Sequence, residues 1–283
     1  MRTLQGHWVV RCALLALGMS AWATTAVTAA LAAPATPPKK PAVDPAAIAA
    51  LERMAAFLRG QQDFEVSSDT TTDEVSRNDQ KVQVGATVSL KVRRPNRLRV
   101  EVASDRKNER LLYDGNLFTV YQPKPGYYAQ FAAPPTLNEL VDVLERRYGV
   151  DLPLADLFRL GTDEAQVRAI RGAALVGYST VRGTPCAHYA FRQPDVDWQV
   201  WIEEGAQPVP RKLVITTTSE RSQPQYTSVM TWTLGAKLEN QMFAFTPPPN
   251  ARRIEFAAGN AAAPQALRQG RAAPRQGVKG GTP

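Results

Sequence analysis

The sequence predicts an α+β protein built on one curled antiparallel sheet with helices covering its concave side. Three patterns carry that expectation. Most of the chain alternates apolar and polar residues with a period of two, as strands with one buried and one wetted face do. Short turn sequences separate these runs at hairpin spacing. One amphipathic helical stretch precedes the strands and a second interrupts them, instead of helices alternating with strands, which argues against a sheet built from βαβ units.

The first helix is expected to open at Asp44 as N-cap, with Pro45 at its first position. It carries Ile48, Leu51, Ala55 and Leu58 on one face and stops at Gly60. Ala86, Val88, Leu90 and Val92 then alternate with Thr87, Ser89, Lys91 and Arg93, and Leu98, Val100 and Val102 alternate with Arg97, Arg99 and Glu101 across a Pro95-Asn96 turn. Asp114-Gly115 joins 111–113 to 117–121, and 123–126 turns into 127–131. Thr136 and Glu139 form a capping box, Leu137, Leu140, Val141, Leu144 and Tyr148 make an apolar stripe, and Gly149 ends it; a short apolar segment follows at 152–160. Strands are expected again at 175–180, 186–192, 198–203, 211–218, 226–234 and 242–245.

The ends have a different character. Residues 1–32 read as a cleaved signal peptide: Arg2 and Arg11 give a positive start, 13–33 is apolar and small, and Ala30-Leu31-Ala32 supplies the cleavage site, so the mature chain begins at Ala33. Ser20, Thr24, Thr25 and Thr28 dilute the stretch, which argues against a retained anchor. Cys12 precedes the apolar run and is poorly placed for a lipid anchor. No later segment is apolar for long enough to span a bilayer as a helix, so the mature chain is expected to lack a transmembrane segment and to work in the periplasm. Residues 33–43 read as a flexible linker, 44–256 as one domain, and 257–283 as a disordered basic tail. The tail is either solvated or in contact with anionic headgroups.

The formal charge of +8 resides in those ends: Arg2, Arg11, Lys39, Lys40, Arg268, Arg271, Arg275 and Lys279 account for it, and 41–256 is formally neutral. A folded surface made for nucleic acid is therefore not expected. After cleavage Cys186 is the single cysteine, so no internal disulfide can form.

Lys91-Val92-Arg93-Arg94-Pro95-Asn96-Arg97-Leu98-Arg99, Tyr113-Asp114-Gly115, Tyr121-Gln122-Pro123 and the 243–248 run Phe-Ala-Phe-Thr-Pro-Pro together resemble the LolA-like superfamily of periplasmic lipoprotein carriers. Within it, 195–203 and 210–215 are most similar to a family of predicted periplasmic proteins, DUF2092. The resemblance implies an incomplete β-barrel closed on one side by helices. It also implies an apolar cavity for a lipid, an acyl chain or a lipidated protein, and a link from Arg94 to the helical lid. The insert at 136–170, the strand holding Trp198 and Trp201, and the basic tail depart from the carriers.

Catalytic motifs do not appear. There is no G-x-S-x-G, H-E-x-x-H, P-loop or G-x-G-x-x-G, and Cys186 with His188 supplies too few ligands for a stable metal site. Neither enzyme chemistry nor a cofactor is expected. The candidate ligand-contacting and lid-linked residues are Arg94, Trp198, Trp201, Phe118 and Trp232. Trp198 and Trp201 fall on opposite faces of their strand, so at least one faces the concave side. The expected function is non-catalytic binding of a lipid or lipidated partner; the alternative is a cell-envelope interaction or sensor module that offers its surface or edge strands to other envelope proteins.

Overall fold

The computed structural model describes residues 43–256 except 77, 79, 151 and 160–163. The signal, all but the last residue of the linker, and the tail lie outside the described residues.

Helix α1 (Pro45–Gly60) begins as the sequence predicts. Asp44 accepts a hydrogen bond from the amide of Ala46, and Pro45 occupies a position whose N–H would have no helical partner. Its buried side, Ala47, Ala50, Leu51, Met54, Ala55 and Leu58, recurs at three- and four-residue intervals. Helix α2 (Leu137–Val143) is capped by the Thr136 hydroxyl, which accepts from the Glu139 amide (3.3 Å) and donates to the Glu139 carboxylate (2.9 Å). It widens into a π-helical turn, Leu144–Tyr148, closed by Gly149 in the left-handed conformation (φ 61°). Two short helices follow, α3 (Asp156–Arg159) and α4 (Glu164–Arg168).

The strands are β1 (Asp63–Val75), β2 (Lys81–Arg93), β3 (Arg97–Ser104), β4 (Asn108–Tyr113), β5 (Leu117–Gln122), β6 (Tyr127–Ala132), β7 (Gly172–Val181), β8 (Thr184–Arg192), β9 (Val196–Glu203), β10 (Pro210–Thr217), β11 (Gln225–Leu234) and β12 (Arg252–Arg253). They form one sheet in the order β12-β6-β5-β4-β3-β2-β1-β11-β10-β9-β8-β7. Every ladder is antiparallel except the two-residue pairing of β12 with β6. β5 and β9 lie seven strand spacings apart, which in a flat sheet is about 34 Å at about 4.8 Å per strand. Val120 of β5 and Trp198 of β9 nonetheless line one cavity, so the sheet curls. It does not close: among the described residues β7 and β12 are its two edges.

Two differences from the sequence reading stand out. β1 was not expected, yet it pairs along its length with β2 and continues the sheet into β11. The strand expected at 242–245 is instead a 3₁₀ turn, Asn240–Phe243, followed by extended chain. Phe243 is fully buried, and the Phe245 ring packs between Tyr121 and Tyr128 at 5.2 and 5.1 Å. Pro247, Pro248 and Pro249 have no amide to give a ladder, so this segment is fastened by its aromatic side chains. Val43, the end of the expected linker, makes an isolated bridge to Ala173.

The apolar sides of α1, α2 and α3 belong to the same buried cluster as alternate residues of the strands. Two cross-strand rows form its centre: Phe64, Val92, Leu98, Tyr113 and Phe118, and beside them Val66, Leu90, Val100, Leu111 and Val120.

Candidate functional site: a cavity between sheet and helices

The site arises from a change of side-chain size along β1. Phe64, Val66, Ser68, Thr70, Thr72 and Glu74 share one face, because successive residues of a strand point to opposite sides. The first two are core. Ser68 marks the boundary, its hydroxyl bonded to that of Ser228 on β11 at 2.7 Å, both fully buried. Beyond it, Thr70, Ala86 and Ser104 stand side by side across β1, β2 and β3. Three small residues in a row cannot fill the depth that leucine and phenylalanine fill in the rows before them, and a cavity of about 1280 Å³ opens above them.

Its walls come from both arms of the sheet and from the helical insert. Val102, Val120 and Ala129 line one side; Trp198, Leu213 and Ile215 line the other. Leu51 of α1 and Tyr148, Leu152, Leu154 and Ile170 of the 136–170 insert contribute further apolar wall. The segment after β12 adds Ile254, Glu255 and Phe256, and the Phe256 ring is set edge-on against Phe131 (5.1 Å) and Tyr148 (4.7 Å).

The remaining lining mixes small apolar residues with polar ones, and its charged members are mostly acidic. Among the described residues it includes five carboxylates, Glu74, Glu109, Glu145, Asp195 and Glu255, and two cations, Arg106 and Lys107. Arg106 pairs with Glu74, and Lys107 Nζ lies 2.7 Å from the Glu109 carboxylate, which is itself almost fully buried. The lining is thus amphiphilic.

Of the residues singled out from the sequence, Trp198 lines the cavity. It stacks on Phe191 at 4.1 Å, and its indole N–H donates to Gln193 Oε1 at 3.2 Å. Phe118 and Trp232 lie beneath the cavity in the apolar rows. Phe118 is fully buried 5.4 Å from Phe131, and the Trp232 indole N–H donates to the Pro210 carbonyl at 2.8 Å. Trp201 is on the opposite face of β9, stacked on His188 at 3.8 Å, with Lys212 Nζ 4.5 Å from its ring centroid. The period of two forbids both tryptophans of this strand from facing the cavity.

Arg94 stands at the other end of β2, away from these walls. Its Nε–H donates to the Gln61 carbonyl at the end of α1 (3.1 Å), and its guanidinium lies 5.6 Å from the Phe158 ring centroid in α3. Burial pulls its pKa below the ordinary value, without removing the charge. One side chain therefore touches both helical segments from the sheet.

Cys186 and His188 have separate partners. The thiol donates to the Thr184 carbonyl at 3.4 Å, and burial pushes its pKa up, away from the reactive thiolate. His188 Nε2–H donates to Gln199 Oε1 at 2.9 Å, and burial lowers its pKa. Among the described residues no group of three or more His, Cys, Asp or Glu side chains is arranged to hold a metal ion, and no helix is long and apolar enough to cross a membrane.

Residues 47–257 match the family described as predicted periplasmic protein (DUF2092). The chain belongs to this family. The compartment read from the sequence, the periplasm, is the one the DUF2092 family carries in its description. No curated protein matches the DUF2092 chain in sequence. Among solved structures it is similar to the lipoprotein LppX of Mycobacterium tuberculosis at 12% identity and a TM-score of 0.43, over 69% of this chain and 98% of that one. It is also similar to a chain of the Pseudomonas aeruginosa MucA/MucB complex (16%, 0.42, 71% and 61%) and to a LolA-superfamily protein of Nitrosomonas europaea (10%, 0.37, 70% and 97%).

Proposed function

We propose that this periplasmic protein binds rather than catalyses, sheltering the acyl chain of a lipid or of a lipidated partner in the cavity between sheet and helices. The observation that carries the reading is the cavity itself. At about 1280 Å³ it exceeds the roughly 300–1,000 Å³ typical of small-molecule pockets, and it joins an apolar wall to a polar one. That is the division of a long-chain amphiphile. Each methylene moved from water into such a wall contributes about 0.8 kcal/mol, which makes a dry cavity an effective shelter for a chain crossing an aqueous compartment.

In this reading α1 and the 136–170 insert cover the concave side of the sheet as a lid. Trp198 is a wall of the ligand site, and Phe118 and Trp232 form the floor that holds the wall in place. Arg94 fastens the sheet to α1 and α3, and the lid opens where these helices part from it. Trp201 takes no part in ligand contact.

The test is native mass spectrometry of the mature protein purified from the periplasm of its own host, followed by extraction of whatever accompanies it. A stoichiometric acyl-bearing ligand supports the reading. A clean protein mass with no lipid uptake on titration overturns it.

One observation favours a second reading, docking of another envelope protein at a sheet edge. β7 is an edge strand, and Leu175, Val176 and Tyr178 on it are 40%, 57% and 68% exposed. The same spectra separate the two, since this reading requires a protein mass in place of a lipid.

A further inference from the structure

A second, smaller pocket of about 240 Å³ lies where the end of α1, the turn between β2 and β3 and the start of α2 meet, lined by Gln62, Arg94, Pro95, Thr136, Leu137 and Asn138. Backbone hydrogen bonds join the three segments: the Arg94 amide donates to the Gln62 carbonyl (2.9 Å), and the Leu137 amide donates to the Pro95 carbonyl (3.0 Å). Arg94 is six residues past Val88 of the large cavity, about 20 Å at about 3.3 Å per residue, with Leu90 and Val92 of the core rows between. The two spaces are separate.

Arg94 is half-buried at this pocket, and its charge is unanswered. Lys91, Arg93, Arg99 and Arg211, also half-buried on the strands, each lie against a carboxylate. Arg94 spends its Nε–H on the Gln61 carbonyl and a face of its guanidinium on Phe158; among the described residues no hydrogen bond or ion pair engages its two terminal nitrogens. A guanidinium drawn partly out of water without a counter-charge bears an uncompensated desolvation cost, and burial lowers its pKa with no carboxylate to raise it.

We propose that this pocket binds a small oxyanion, a phosphate or a carboxylate, held by the two terminal nitrogens of Arg94. The guanidinium suits that class, because its parallel N–H groups match two oxygens of one phosphate or carboxylate. Size agrees: 240 Å³ is below the roughly 300–1,000 Å³ of pockets for larger molecules, yet it holds an ion with part of its hydration shell at about 30 Å³ per water. The other five lining residues are uncharged, and Glu139, just beyond them, is engaged by the Thr136 hydroxyl (2.9 Å). Binding here requires no acyl chain in the large cavity, so the site stands or falls apart from the carrier reading.

The probe is inorganic phosphate, titrated into the mature protein against chloride of equal ionic strength and followed by the amide NMR signals of Gln62, Arg94 and Asn138. Saturable shifts at these signals are expected in the native protein and in R93Q, which lacks a guanidinium already paired with Asp63. R94Q should bind about tenfold or more weakly, the size of one charge-assisted hydrogen bond. R94Q also frees the Gln61 carbonyl at the end of α1, so N138D is the second variant: Asn138 is exposed, and its replacement sets a carboxylate at the pocket with Arg94 intact. N138D should weaken phosphate binding to a similar degree and melt within a few degrees of the parent. Absence of a saturable shift in the native protein overturns the proposal, as does binding that N138D leaves unchanged. A parallel titration with dihexanoyl phosphatidic acid, below its micelle concentration, separates the sources of the ligand. Tighter binding than phosphate at the same amides assigns the site to lipid headgroups; equal or weaker binding assigns it to the free ion.

Discussion

Replacing Ala86 by tryptophan is the sharpest test of whether the cavity holds an acyl chain. Ala86 lies on β2 between Thr70 and Ser104, faces the cavity and is only partly buried. An indole there enters open space instead of the packed core, so the overpacking cost of a core substitution does not arise. What it takes is ligand volume. Displacing about three methylenes, at about 0.8 kcal/mol each, removes about 2.4 kcal/mol of binding, or about 60-fold in dissociation constant. The neighbouring Thr87 is exposed on the other face of the same strand and supplies the control. Titration of a fluorescent long-chain acyl probe should show the loss in A86W and not in T87W, with both proteins melting within a few degrees of the parent. Equal affinity in A86W and the parent, with the fold intact, would refute the placement of the ligand in this cavity.

Other outcomes follow from single contacts. Ser68→Ala leaves the fully buried Ser228 hydroxyl without its partner and should cost about 1–3 kcal/mol in urea unfolding, whereas S68A with S228A should cost less than the two single changes added. Thr136→Ala removes the cap of α2 and should cost about 1 kcal/mol, read by the same method. His188 has its pKa lowered from 6.5 by burial, so the unfolded chain binds the proton more readily than the folded one. The histidine's contribution is present above about pH 6.5 and is lost as pH falls from there toward the folded value; H188Q should flatten the melting temperature over that window. Arg94→Ala should speed hydrogen exchange in α1 and α3 while leaving β9 unchanged, and uniform exchange across the protein would remove Arg94 as the fastening of the lid.

Helix α1, helix α2 and most strands were legible because their signals are local. Asp44-Pro45 and the Thr136/Glu139 box announce helix starts in a handful of residues, and the Leu98-Val100-Val102 alternation announces a strand wherever the chain later places it. β1 was not legible for a reason connected to the cavity. Its inner positions run from Phe64 and Val66 to Ser68, Thr70, Thr72 and Glu74, and the alternation that marks a half-buried strand fades where the strand stops facing core. The strand expected at 242–245 failed in the opposite sense. Phe243 and Phe245 alternate correctly but are held by burial and aromatic contacts, which a period of two cannot distinguish from a ladder. Trp198 could be placed on one of two faces; which face needed the register of β9 with β10.

The fading of β1 bears on function because one strand spans both environments. The row led by Phe64 is core, the row led by Val66 is core until Val120 reaches the cavity, the row at Ser68 begins with a buried hydroxyl pair, and the row at Thr70 is cavity floor. A sheet stiffened at one end by such rows can leave the other end unfilled without collapsing, since the small side chains there are held apart by the ladders of β1, β2 and β3 rather than by contact with one another. Along β1 polarity rises in the same direction, from phenylalanine to glutamate, so an amphiphile held as proposed has apolar wall at the depth of Val120 and a carboxylate near Glu74. In the proposed carrier reading, the order of residues along this strand sets the orientation of the bound chain, tail toward Val66 and head toward Glu74. A spin label or brominated position near the head of a bound lipid should accordingly act on residues near Glu74 and leave those near Val66 untouched, and the reverse pattern would place the ligand the other way round.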